Sequence, residues 1–280
     1  MNLDNKIGNR VSRKLEANVR ELTETVVITG ASRGLGEALA LLYAAQGRTL
    51  GLLGRDGERL DMVATRCRAS EAQVLTGTPD VTDHAALTRW IQSFDKAYPI
   101  DLLIVNAGVF TGHGKTVPET VDETVSTLRT NLEGAVVTIA AASPMMRTRR
   151  TGRIAIVGSQ AVLHPLADAP AYSASKAGLM IYGEALREWL APDNVSVSLI
   201  YPGHIKTAQV AHHVGPLPLI MSVDQAARII KRGLDRGRSR IIFPQRLHWL
   251  IRAGRLLPWR LRARIGSASR FYVSRPSDEE

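Results

Sequence analysis

The sequence predicts an α/β fold: a doubly wound parallel β-sheet of about seven strands with helices on both faces. Three observations predict it. Strand-like and helix-like segments alternate along the chain. The strand-like runs lack polar alternation, as in IDLLIVNAG (100–108), so they are buried on both faces. No internal repeat and no second domain boundary interrupts the alternation, and the only compositional break follows residue 244.

Each element has its own signal. TVVITG (25–30) is a short β-branched run ending in glycine, and GEALALLYAAQG (36–47) is a helical stretch closed by Gly47. TLGLLGR (49–55) is the second strand and ERLDMVATRCRAS (58–70) the next helix. AQVLTG (72–77) is the third strand, and Asp83 caps the helix that follows it. Residues 100–108 make the fourth strand and 119–147 a helical region. GRIAIVGS (152–159), NVSVSLIYPG (194–203) and SRIIFP (239–244) are the last three strands, with helices over 170–190 and 223–234.

Composition limits the class. The 280 residues are 45% hydrophobic and 22% charged, enough for one large core. Cys67 is the only cysteine, which excludes an internal disulfide or a cysteine-built zinc site and favours a reducing compartment. No histidines pair with carboxylates at ligand spacing, so no metal site is expected. No apolar run approaches the ~18–20 residues that span a bilayer. Residues 1–24 lack the apolar core of a secretory signal and mix acids with bases; they read as a polar, partly helical extension. The expected location is the cytoplasm, with peripheral attachment to the inner face of a membrane as the further option.

The net charge of +10 is unevenly placed. Residues 1–227 hold 22 Lys/Arg and 22 Asp/Glu, whereas residues 228–275 hold 14 bases and one acid, Asp235. The expected organisation is an extension (1–24), a dinucleotide-binding and catalytic domain (25–244) and a basic amphipathic extension (245–280).

The first strand runs into TGASRGLGEA, with glycines at 30, 34 and 36 and a helix behind them. Such a turn lets backbone approach a pyrophosphate, and the helix N-terminus offers free N–H groups and a favourable dipole. A tight strand–helix connection would look similar, but its place after the first strand favours a dinucleotide. The second strand ends in Gly54-Arg55, where an NAD site usually carries a carboxylate, and Arg33 lies inside the turn. Two guanidiniums suit a 2′-phosphate, so NADP(H) is favoured over NAD(H); two solvated surface arginines are the plainer reading.

APAYSASKAGLM (169–180) places Tyr172 one helical turn before Lys176. With the other motifs, the chain resembles the short-chain dehydrogenase/reductase family over residues 25–207, which implies a Rossmann-type fold. TGASRGLG resembles the family's cofactor turn (Gly30, Ser32, Arg33, Gly34, Leu35, Gly36). Asp80-Val81 resembles its adenine contact, and Asn106-Ala107-Gly108 its cofactor-lining motif. Asn131, Ser159, Tyr172 and Lys176 resemble its catalytic set, and Pro202-Gly203 with Ile205 and Thr207 its nicotinamide-contacting segment. Valine in VNAG and GSQ around Ser159 depart from the commoner forms, and neither removes a catalytic group.

The chemistry is that of carbonyl reduction or alcohol oxidation. A phenol has an ordinary pKa near ~10, and a neighbouring ammonium lowers it. Lys176 is placed to do so, and the resemblance gives it a second bond to the nicotinamide ribose. Ser159 would hold the substrate oxygen beside Tyr172, and Asn131 a relay water. Singly, Ser159 reads equally as a strand-end cap, Asn131 as a helix-distorting polar group and Tyr172 as a packing aromatic.

The segment AQVAHHVGPLPLIMS (208–222) is mostly apolar and, by the resemblance, covers the substrate, which points to a lipophilic carbonyl or secondary alcohol. His212 and His213 read first as surface residues, with polar groups of the pocket as the second reading. RLHWLIRAGRLLPWRLRARI (246–265) interleaves two Trp and several Leu with six Arg, and Pro258 should divide it into two short helices. It suits an anionic membrane surface, or packing within the molecule or between copies, far better than nucleic acid. The resemblance also implies a homo-oligomer, a dimer or tetramer. Two other functions compete: a catalytically silent cofactor sensor or scaffold of the same fold, and a sugar-nucleotide epimerase, which is usually longer with a different glycine spacing.

Overall fold

A computed structural model describes residues 24–115, 117–208, 213–258, 260–261 and 271–274. The expected N-terminal extension therefore lies outside the described residues, Glu24 apart, as do His212 and most of 259–270.

The strands are β1 (Thr25–Thr29), β2 (Thr49–Leu53), β3 (Gln73–Gly77), β4 (Leu102–Val105), β5 (Gly152–Val157), β6 (Val195–Pro202), β7 (His213–Val214), β8 (Arg240–Phe243) and β9 (Tyr272–Val273). The helices are α1 (Gly34–Tyr43), α2 (Gly57–Arg68), α3 (His84–Ala97), α4 (Val121–Leu128), α5 (Gly134–Arg149), α6 (Pro170–Leu190), α7 (Val223–Asp235) and α8 (Gln245–Gly254). Seven strands form one sheet in the order β3-β2-β1-β4-β5-β6-β8, and every neighbouring pair is parallel. The expected doubly wound α/β architecture is what the chain adopts.

The apolar runs are explained by the two faces. Val26 and Ile28 of β1 enter one core with Leu39 and Tyr43 of α1 and Ile230 of α7. Val27, between them, enters the other with Ile91 of α3, Ile139 of α5 and Leu179 of α6. Successive side chains point to opposite faces, so a strand covered on both sides must be apolar throughout. The chain winds from β1 outward to β3, then crosses back to β4 beside β1. The carboxyl ends of β1 and β4 thus flank a switch point, where open sheets of this kind leave a crevice.

Several boundaries differ from expectation. α1 stops at Tyr43, and Gly47 serves instead in the turn before β2 with φ +79°. β4 ends at Val105, so Asn106-Ala107-Gly108 belongs to the loop beyond it. The helical region after 119 is broken: α4 and α5 are joined by a single wide π-turn over Arg129–Glu133. α8 ends at Gly254, before Pro258 is reached. Asp83 does cap α3, accepting from Ala86 N at 3.0 Å. Residues 213–214 and 272–273 form a small antiparallel ribbon that no local sequence signal announced.

Candidate active site

The glycine turn is built by close approach. A Cβ at Gly36 would lie 2.0 Å from Gly30 O, and one at Gly30, where φ is +67°, would lie 2.8 Å from Ala107 Cα. Neither position has room for a side chain, so the turn packs directly on the loop after β4. Asn106 locks the two together: its Nδ2 donates to Thr29 O and Gly30 O, both at 3.1 Å. Thr29 Oγ1 accepts from the backbone N–H groups of Asn106 and Ala107 at 3.0 and 3.1 Å. Arg33 stands at the N-cap of α1 without a capping side-chain bond, which leaves the first N–H groups of the helix turned toward the crevice. Bare backbone at the crevice and a free helix N-terminus fit a pyrophosphate.

Above that turn lies a cavity of about 1500 Å³. Its wall includes Gly30, Ser32, Arg33, Gly34 and Leu35 of the turn, and Arg55 and Val81 beside them. Asn106, Ala107, Gly108, Ser159, Tyr172, Lys176, Pro202, Gly203, Ile205 and Thr207 complete the sequence-predicted lining. Gly36, Asp80 and Asn131 sit behind the wall and support it. Asp80 accepts from Arg55 Nη1 at 3.2 Å and from Thr82 N and Oγ1 at 2.9 and 2.8 Å. Burial pushes its carboxyl up, but the bonds from Thr82 and Arg55 outweigh that and hold it below its ordinary value. An acid from beyond β3 therefore stands beside Arg55, and the guanidinium is shared with it.

Ser159 follows β5 and caps the short 3₁₀ turn Gln160–Val162, accepting from Ala161 N at 3.1 Å. Its side chain stands beside Tyr172 and acts to lower the phenol's pKa. Tyr172 lies in the first turn of α6, and Lys176 one turn on, with Nζ donating to Val157 O at 3.0 Å and 6.0 Å from the Tyr172 ring centre. Burial raises the phenol above its ordinary value, opposed by Ser159. Burial brings Lys176 down to about 8. The expected lowering of the phenol by Lys176 is thus not what these side chains achieve by themselves: both groups are desolvated, and desolvation penalises phenolate and ammonium alike. A phenol that keeps its proton is suited to giving one to a developing alkoxide.

Asn131, fully buried in the π-turn, accepts from Val109 N at 2.7 Å and donates to Val109 O at 2.9 Å and to Ser175 Oγ at 3.1 Å. The wider turn lets this side chain leave the helix and hold the loop after β4 beside Lys176.

The substrate side holds residues that no motif marked. Phe110 meets the Tyr172 ring edge-on at 4.9 Å. Gln160 ties the Ser159 turn to β8 through a bond from Nε2 to Phe243 O at 2.8 Å. His213, read first as a surface residue and second as a pocket group, lines the cavity and stacks on Phe271 at 4.2 Å. Leu247, Leu250, Ile251 and Leu257 bring the C-terminal segment into the same wall. Among the described residues no group of three or more His, Cys, Asp or Glu is placed to hold a metal ion, and no helix is long and apolar enough to cross a membrane.

A crevice at the sheet's switch point, with a hydroxyl, a phenol and an amine at its far end, is the arrangement of a dinucleotide-linked oxidoreductase. A family model described as short chain dehydrogenase matches residues 24–214, and the chain belongs to that family. It is 35% identical over 236 residues to an uncharacterized oxidoreductase of Myxococcus xanthus, covering 84% of this chain and 92% of that one. It is 36% identical to a 3-dehydrosphinganine reductase of Arabidopsis thaliana over 64% of this chain, which spans 55% of that relative. Among solved structures, a short-chain dehydrogenase from Sphingobium yanoikuyae in complex with NADPH superposes with a TM-score of 0.73 at 28% identity, covering 91% of this chain and 99% of that one. The chain is an oxidoreductase of that family.

Proposed function

We propose that this chain reduces lipophilic ketones with NADPH, and oxidises the corresponding secondary alcohols in reverse. The observation that carries the reading is the placing of Ser159, Tyr172 and Lys176 together on the wall of one cavity that continues from the glycine turn to an apolar collar. Bound NADPH would supply the hydride. Tyr172 gives its proton to the carbonyl oxygen, and Ser159 holds that oxygen in place. Lys176 sits beneath the phenol and favours its anion once protonated. Asn131 holds Lys176's neighbouring loop and, with a water, would relay protons to it. Arg33 and Arg55 would grip the 2′-phosphate, Arg55 turning from Asp80 to do so.

A panel of ketones from butanone to long-chain and aryl ketones, followed by loss of NADPH absorbance, tests the reading. Turnover should rise with substrate apolarity, and kcat/KM should favour NADPH over NADH by at least about 10-fold, as one charge-assisted contact to the 2′-phosphate implies. A preference for NADH would overturn the cofactor assignment. NADPH binding with no turnover of any ketone or alcohol would favour the silent sensor.

The substrate class is supported by the collar itself. Trp249 (63% exposed) and Leu256 (88%) project from or just beyond α8, and Leu219 and Ile220 project from the loop before α7. Both segments also line the cavity, and exposed Arg246, Arg252 and Arg255 surround the first. This edge suits an anionic lipid surface, from which an apolar ketone would enter. The protein should pellet with vesicles containing phosphatidylserine and not with phosphatidylcholine alone, and a W249S/L256S variant should pellet several-fold less. Equal partitioning of the two proteins would remove the membrane contact.

A further inference from the structure

The four described residues 271–274 lie far along the chain from the catalytic motifs, yet they sit on the substrate side of the cavity. They are held there from three directions. β9 pairs with β7, so Val273 faces His213 and Tyr272 faces Val214. Val273 N donates to His113 O at 2.9 Å, and its side chain closes on Gly112, where an added Cβ would lie 3.1 Å from Val273 Cγ2. Phe271 N donates to Asp168 Oδ2 at 3.3 Å, and Asp168 O in turn accepts from His113 N at 2.7 Å. One short strand therefore joins the loop after β4, the loop that leads into α6, and the segment after β6. These are the three loops that shape the space above Ser159 and Tyr172.

The strand brings one large side chain with it. Phe271 lines the cavity, stacks on His213 with ring centres 4.2 Å apart, and lies 6.1 Å from Phe110. Phe110 is itself edge-on to Tyr172. A continuous aromatic wall thus runs from the phenol to the C-terminal strand: Tyr172, Phe110, Phe271, His213. A substituent on a carbonyl carbon held at Ser159 and Tyr172 has this wall beside it.

We propose that Phe271, carried on β9, determines substrate specificity, and that the subsite it forms with Phe110 takes the bulky apolar substituent of a ketone. The inference rests on the reductase reading and adds a residue and a strand to it. Burying an apolar or aryl group against a Phe ring gives an affinity that a small ketone cannot collect. Val273 positions Phe271 through its backbone N–H and does not touch the substrate.

The test is the discrimination ratio, kcat/KM for benzophenone over kcat/KM for butanone, measured with NADPH on the full chain. F271A should lower that ratio by about 10-fold or more, mostly through KM for benzophenone. V273P, which removes the N–H that bonds His113 O and leaves Phe271 unchanged, should lower it in the same direction. NADPH binding, read by fluorescence, checks that the nucleotide site is folded in each. A ratio within twofold of the unaltered protein in F271A overturns the proposal, whatever V273P does. If the unaltered chain reduces no ketone, the reductase reading falls and this one with it; turnover with an unmoved ratio removes this one alone.

Discussion

Tyr172→Phe should lower NADPH-dependent ketone reduction by about 10³-fold, within the range that a lost general acid commonly costs. The ring would remain, so its edge-on packing with Phe110 at 4.9 Å should persist and NADPH should still bind. Only the hydroxyl beside Ser159 is removed. Stopped-flow hydride transfer and NADPH titration separate the two effects; a Phe variant that turns over normally would show that the proton comes from elsewhere. The unaltered enzyme should also lose reductive activity as pH rises through about 8, where Lys176 passes from ammonium to amine. Its depressed pKa makes the charged form the one held below that pH, and only that form favours the phenolate left after proton transfer.

Gly36→Ala should abolish useful NADPH affinity and lower Tm by about 6 °C or more. A methyl 2.0 Å from Gly30 O and 2.8 Å from Gly30 C collides with the backbone that makes the turn, which cannot swing away as the nearby Asn106 side chain could. Overpacking in ordinary cores costs about 1–3 kcal/mol, and each kcal/mol moves Tm by about 2–4 °C in a protein near this size. Gly237→Ala is the control. Gly237 has φ +62° but nothing within 4 Å of an added Cβ, so it should lose a little stability and leave cofactor affinity unchanged. Equal loss of NADPH affinity in both variants would mean that global destabilisation, not the turn, is being measured.

What the sequence disclosed and what it withheld follow one physical line. Val26, Val27 and Ile28 announce a doubly covered strand because burial on both faces leaves no other composition available. Gly30 and Gly36 are legible because the close approach of backbone to backbone restricts them to one residue type. Tyr172 and Lys176 are legible because one helical turn fixes their separation. The π-turn at Arg129–Glu133 was legible only through Asn131 as a helix-distorting polar group, since the bond pattern, not the residue type, sets how wide the turn becomes. The meeting of His213 and Phe271 was not legible because it depends on a pairing between strands of two residues each, nearly sixty residues apart. Such short strands carry no periodicity to detect. Asp80 was read as an adenine contact alone, because its ion pair with Arg55 depends on how two separate strand ends come together.

The side chain of Asn131 imitates a peptide unit. Its carbonyl accepts from Val109 N and its amide donates to Val109 O, the pair of bonds that a residue on a neighbouring strand would exchange. The backbone of the loop after β4 is thereby answered four residues beyond the end of the sheet, by a group reaching out of a helix. A single amide thus does for the floor of the cavity what a further strand would do, while leaving open the space that a strand would fill.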